Sequence, residues 1–219
     1  VDGVLIFQKG KLVLEEYFYG YDQATPHQLR SATKSVVGAV VGAAVAGGAV
    51  TLDEPVLPRL GYANVANPDP RKSNLTLRNL LTLQSGLDCD DHVGGSPGGE
   101  SQLYPTPDWI RVMVDLKVVD TPGTVGRYCT GATFLAGRTV EKATGRSLPD
   151  YAQEHLFSPL GIRRADWSWN HALTNADTQF GMISMRPRDM LKFGMLYANA
   201  GRWGGKQVLP AAWVRDSLS

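Results

Sequence analysis

The chain has 219 residues, with 22 Lys and Arg against 21 Asp and Glu, for a formal charge of +1. That length supports one large domain with its own core, and the near-zero charge removes any electrostatic case for nucleic acid or an anionic membrane surface. Hydrophobic residues at 43% and charged residues at 20% exclude a disordered chain, and two cysteines are too few for a disulfide scaffold.

The chain starts at Val1 without a basic segment, apolar stretch and cleavage site, so its start says nothing direct about export. Residues 3–8 and 11–19 read as two strands around the Lys9-Gly10 turn. Residues 31–46 form an Ala, Gly and Val-rich helix. The uncharged run 35–52 has the minimum length of a membrane span. Its Ala and Gly content adds little transfer energy, so a buried helix is expected, with Gly38 and Gly42 allowing a close neighbour. Residues 76–83 form a short helix, and 88–107 a long loop rich in Gly, Pro, Ser and Asp. Helices follow at 108–116, 131–144 and 148–157, with Gly145 as a stop. The clearest amphipathic helix spans 187–200, with Met190, Leu191, Met195 and Ala198 on one face. A last helix begins near Pro210. No further strand is expected after Tyr19, which leaves a two-stranded hairpin that is marginal alone.

Ser31 and Lys34 form a Ser-x-x-Lys pattern at the head of the first helix. Positions i and i+3 share a helix face, so the amine can reach the hydroxyl. A serine needs an adjacent base to act as a nucleophile, and a lysine serves only when unprotonated. The helix N-terminus adds partial positive charge that favours a developing anion. The plain alternative is an N-cap serine beside a surface lysine. Tyr128-Cys129-Thr130 follows the Pro122-Gly123 turn and opens another helix. Such a tyrosine can relay a proton from a cleft edge, or it can be a core tyrosine with a satisfied hydroxyl.

The order of these motifs is informative. RSATKS at 30–35 precedes an Ala/Gly helix, LLTLQSGL spans 80–87, and YCTGATFLAGRTVEKATG spans 128–145. LFSPLGI follows at 156–162, then RPRDMLKFGMLYANAGRWGGKQVLPAAWV at 186–214. Together they resemble the serine β-lactamase-related family, which includes class C β-lactamases, D-alanyl-D-alanine carboxypeptidases and esterases. The Tyr-Cys-Thr variant is most similar to the 6-aminohexanoate-dimer hydrolase-like branch. The resemblance implies an α/β (α+β) fold of β-lactamase/transpeptidase type, with an antiparallel sheet flanked by helices plus a helical lobe. It divides the chain into an α/β lobe (1–50 and about 185–219) and a mainly helical lobe (about 51–184), with the site between them.

The resemblance further implies that Ser31 is the acylated nucleophile, Lys34 the base and Tyr128 the proton shuttle, in a two-step acyl transfer. The Ser31 N–H supplies half of an oxyanion hole. Thr130 stands where the family usually has an asparagine that touches substrate. That favours an ester or small amide over an antibiotic lactam. Cys129, Trp167 and Trp169 are candidate substrate-binding neighbours of this set, although both tryptophans are equally well read as core. The family's third motif, Lys-Thr-Gly or His-x-Gly, and its later strands fall beyond Ser219. The expectation is therefore a missing C-terminal segment, or self-association that completes the sheet. A competing expectation is a catalytically inert scaffold with a binding role.

Neither a cofactor nor a metal is implied, and the partner is a small-molecule substrate. A periplasmic or extracellular location follows from resemblance alone. Gly94-x-Ser96-x-Gly98 matches the nucleophile elbow of another hydrolase class, but it lacks the strand before and the helix after. Asp88, Asp90, Asp91 and His92 do not have calcium-loop spacing, so solvated loop charges are expected. For Cys89 and Cys129, two free thiols are the default; a disulfide joins them if both motifs border one cleft.

Overall fold

The computed structural model describes residues 1–174 and 178–219. It opens with β1 (Gly3–Gln8) and β2 (Lys11–Tyr17), an antiparallel hairpin, followed by the short β3 (His27–Gln28). The helix α1 (Ala32–Ala46) comes next, then α2 (Val56–Leu60), α3 (Leu77–Leu81), α4 (Glu100–Leu103) and α5 (Trp109–Asp115). After these come α6 (Thr130–Thr144), α7 (Leu148–Ala152), β4 (Trp167–Leu173) and β5 (Thr178–Met185). The chain closes with α8 (Pro187–Ala198), the small β6 (Arg202–Trp203) and β7 (Lys206–Gln207) ladder, and α9 (Ala211–Asp216).

The core is built on α6, which packs against α1, α2, α3, α5 and α7 and is buried over nearly its whole circumference. Two glycines make this possible. The Met113 thioether lies against Gly131, and Leu148 lies against Gly137, where in each case a Cβ would collide. In α1, Val36, Val37, Val40 and Val41 are buried. Each contributes about 1.5–3 kcal/mol of apolar burial, which outweighs a helix cost of about 1 kcal/mol for each internal glycine. The close neighbour that Gly42 admits is the Trp213 indole of α9. Most of the run 35–52 thus lies in the 15-residue core helix α1, which ends at Ala46. Among the described residues, no helix is long and apolar enough to cross a membrane.

The expectation of no strand after Tyr19 is corrected. β4 and β5 pair antiparallel, and β3 pairs with the other edge of β5 to give the order β3-β5-β4. Both long strands lie in the stretch expected to be mainly helical. In β4, Trp167 and Trp169 point inward while Ser168 and Asn170 face out, a two-residue alternation that was legible in the sequence. The polar residues near His171 concealed it. Several helices are also shorter than expected. α3 is closed at its start by a capping box between Thr76 and Asn79. The expected helix 148–157 is α7 followed by a π-turn at Gln153–Phe157.

The β1–β2 hairpin forms a separate two-stranded sheet. It exposes Ile6, Phe7, Leu12, Val13 and Leu14. Its tie to α8 is the ion pair of Glu15 with Arg188, whose Nε and Nη2 donate at 2.7 and 2.6 Å. The Tyr17 hydroxyl donates to the same carboxylate at 2.6 Å. The Arg188 bonds lead in bringing the Glu15 carboxyl down from 4.5 to about 2. Burial, with Glu15 beside it, raises the Tyr17 phenol to about 12. Because the folded pKa of Glu15 lies below the unfolded one, its contribution is complete above pH 4.5 and fades as pH falls toward 2. We expect Arg188→Ala to lower the melting temperature at pH 7, with the gap to wild type closing between about pH 5 and 2. Melting curves across that range check this, and a gap independent of pH refutes it.

Candidate active site

The head of α1 is gripped by β5. The Leu29 N–H donates to the Ile183 carbonyl at 2.9 Å, and the Ile183 N–H donates to Thr33 Oγ1 at 3.1 Å. These two bonds bracket Ser31. Arg30, immediately before it, has φ of 49°, a left-handed conformation that a non-glycine residue adopts only when its surroundings hold it there. Ser31 occupies the N-cap position, but its hydroxyl does not cap the helix and it is exposed. One turn on, Lys34 Nζ donates to Ser31 Oγ at 3.3 Å.

The head of α6 arrives from the other side. Residues 83–91 and 118–130 run together through backbone bonds: Arg127 N–H to Leu83 carbonyl, Gly123 N–H to Gln84 carbonyl, and Val119 N–H to Gly86 carbonyl. Gly86 has φ of 73°, and a Cβ there would strike the Asp120 carbonyl, so this crossing needs glycine. The Asp91 N–H donates to the Tyr128 carbonyl at 2.7 Å. Cys89 and Cys129 form a disulfide across the same ladder, with Cα atoms 5.5 Å apart. The default of two free thiols is therefore corrected: the backbone pairing around Asp91 and Tyr128 brings both side chains to one point.

This arrangement gathers Ser31, Lys34, Tyr128 and Thr130. The Tyr128 ring centroid is 4.6 Å from Lys34 Nζ. The His92 ring lies 5.0 Å from the Tyr128 ring on a tilted face. Lys34 Nζ donates to Thr130 Oγ1 at 2.9 Å. Thr130 is 1% exposed, and its hydroxyl is spent on contacts inside the protein, which corrects its expected role as a substrate contact. Cys129 is also 1% exposed and held in the disulfide, so it offers no group to a substrate.

Trp167 and Trp169 are core residues. The Trp167 indole N–H donates to Gln153 Oε1 at 2.9 Å, and its ring packs edge-on to Phe157. The Trp169 indole N–H donates to the Gly181 carbonyl at 2.7 Å. With both indoles satisfied inside, neither acts as a pocket wall.

Ser96, from the elbow-like pattern, sits in a loop and accepts the Asp90 N–H at 2.8 Å. The acidic cluster forms no group of three or more metal ligands among the described residues. One member has a different place, which sequence reasoning missed. Asp91 Oδ2 accepts both the N–H and the hydroxyl of Thr130, at 2.8 and 2.7 Å. The only sequence signal for it was its position two residues after Cys89. A groove of about 700 Å³ bordered by Arg138, Glu141, Lys142, Arg146 and Phe180 includes none of Ser31, Lys34 and Tyr128.

The chain is 25% identical over 237 residues to a 6-aminohexanoate-dimer hydrolase of Paenarthrobacter ureafaciens, a match that spans 100% of this chain and 57% of that protein. It is 27% identical over 190 residues to a lovastatin esterase of Penicillium rubens, covering 79% of this chain and 46% of the relative. The chain thus spans about half the length of the curated relatives it matches. Among solved structures, the octameric penicillin-binding protein homologue of Pyrococcus abyssi superposes with a TM-score of 0.70 at 21% identity, over 97% of this chain and 55% of that one. That likeness supports the expected β-lactamase/transpeptidase-like fold. The beta-lactamase family model matches residues 2–219, and this chain belongs to the β-lactamase family.

Proposed function

We propose that this chain carries the nucleophile, base and proton relay of a serine hydrolase that transfers an acyl group from an ester or small amide to water. The observation that carries this is the approach of Lys34 Nζ to Ser31 Oγ at 3.3 Å, with the Tyr128 ring beside the same amine. In the acylation step the unprotonated Lys34 amine takes the Ser31 proton as Oγ bonds to the carbonyl carbon. The Ser31 N–H, at the positive end of α1, faces the developing oxyanion. Tyr128 hands a proton to the leaving alcohol or amine as its bond to the carbonyl carbon breaks. Water then cleaves the Ser31 ester by the reverse sequence, releasing the acid.

The relatives' names, a dimer hydrolase and an esterase, agree with this reaction class. The disulfide beside the site fits an oxidising compartment outside the cytosol.

The test is fluorophosphonate labelling of the protein as its gene encodes it, followed by peptide mapping. The adduct is expected on Ser31 and absent from Ser31→Ala, which keeps the wild-type melting temperature. An adduct on another serine, or undiminished labelling of Ser31→Ala, overturns the proposal.

A further inference from the structure

Asp91 caps α6, and that alone would be a structural role. The N-cap residue Cys129 makes no side-chain cap bond. Asp91 Oδ2 takes the Thr130 N–H in its place, putting a carboxylate at the positive end of a 15-residue helix. The same oxygen, however, also takes the Thr130 hydroxyl proton at 2.7 Å. That second bond has no part in capping. It decides which way the Thr130 hydroxyl faces Lys34.

We propose that Asp91 is a positioning residue for the Lys34 base, acting through the Thr130 hydroxyl. The proposal rests on the hydrolase reading above. A threonine hydroxyl has a single proton and two lone pairs. An ionised carboxylate accepts hydrogen bonds and donates none. With its proton committed to Asp91, Thr130 Oγ1 can only accept from Lys34 Nζ, which lies 2.9 Å away. The direction of the chain is therefore set: Lys34 donates to Thr130, and Thr130 donates to Asp91.

This direction matters because a neutral amine has one lone pair. Acylation requires that lone pair to receive the Ser31 proton. A Thr130 hydroxyl free to rotate would donate to Nζ and compete with Ser31 for it. Asp91 removes that competitor and turns an N–H of the amine toward Thr130, which leaves the lone pair for Ser31 Oγ. The arrangement has the logic of a nucleophile, a base and a group that orients the base. Asp91 is itself held from two more sides. Its Oδ1 accepts the Glu100 N–H at 2.9 Å, and its own N–H is bonded to the Tyr128 carbonyl. One residue thus ties together the orientation of Lys34, the head of α6 and the backbone of Tyr128.

The experiment measures the rate at which the fluorophosphonate probe acylates Ser31, together with the melting temperature of each variant. Thr130→Val keeps the backbone N–H that caps α6 and removes only the hydroxyl. It is expected to label about tenfold to a hundredfold more slowly, the scale of a hydrogen bond to a charged group. Thr130→Ser keeps the hydroxyl and is expected within about threefold of wild type. Asp91→Leu, which removes the acceptor oxygens at similar size, is expected to slow labelling to a similar degree as Thr130→Val. The double variant is expected to be no slower than the slower single, because both changes break one chain.

A purely structural Asp91 gives another pattern. Asp91→Leu then lowers the melting temperature while its folded fraction labels normally, and Thr130→Val labels at the wild-type rate; either result overturns the proposal. Slowing by the full product of the two single effects also overturns it. If Asp91→Leu does not fold, the comparison of Thr130→Val with Thr130→Ser decides alone. An unlabelled Ser31 in the wild type, or normal labelling of Lys34→Met, defeats the hydrolase reading and this proposal with it. Normal behaviour of those two controls with full-rate labelling of Thr130→Val defeats only the role of Asp91.

Discussion

Lys34→Met is expected to slow acylation of Ser31 by roughly a hundredfold to ten-thousandfold, the range spanned by a positioned general base, while leaving the fold intact. Methionine is close in length to the lysine stem and keeps the apolar contacts along α1. The substitution removes the amine that lies within hydrogen-bond distance of Ser31 Oγ. The Ser31 N–H and the α1 dipole remain, so a residual rate above background is expected. Lys34→Arg is expected to be no better than methionine, since a guanidinium stays protonated and cannot act as a base. Time courses of probe incorporation, corrected for the folded fraction, measure this. A Lys34→Met rate within a few-fold of wild type would remove Lys34 from the base position and leave Tyr128 as the nearest alternative.

The second large effect concerns the Cys89–Cys129 disulfide, whose cysteines are 40 residues apart in sequence. On the chain-entropy account, closing a loop of that length stabilises the fold by about 4 kcal/mol. The Cys89→Ser, Cys129→Ser double variant is expected to melt roughly 8–16 °C lower, given about 2–4 °C per kcal/mol for a chain of this size. The loss should not stop at stability. Cys129 lies between Tyr128 and Thr130, and Cys89 is two residues before Asp91. Loosening that ladder moves the groups that face Lys34, so the folded double variant is also expected to label Ser31 more slowly. Calorimetry with and without reductant measures the first effect, and thiol counting is expected to find no thiol that titrates before reduction. A double variant that melts within a degree or two of wild type would contradict the bond's structural role.

The residues proposed to carry the chemistry are legible in sequence because their signal is local. Ser31 and Lys34 are three apart on one helix, and helical geometry alone brings them to one face. Tyr128 and Thr130 stood out because a Pro-Gly turn precedes a helix start. Helix positions followed from periodicity and from stops such as Gly145, which has φ of 68°. β4 and β5 escaped notice for a different reason. Strand identity depends on partners distant in sequence, and a short alternating run with polar residues at its turn end carries little local evidence. The inward pair Trp167 and Trp169 suggested a pocket wall only until β5 supplied the Gly181 carbonyl that satisfies one of them.

By itself, then, the sequence determined the Ser31–Lys34 pair and the helix that carries it, which depend on spacing within one element, and the family, which depends on the order of its motifs along the chain. The tertiary structure alone decided what stands around that pair. It joined Cys89 to Cys129, turned Asp91 from a loop charge into the partner of Thr130, and moved two tryptophans from candidate site to core. Each of these depends on contacts between segments a dozen to forty residues apart, where hydrogen-bond direction and burial are set by packing and no local pattern records them.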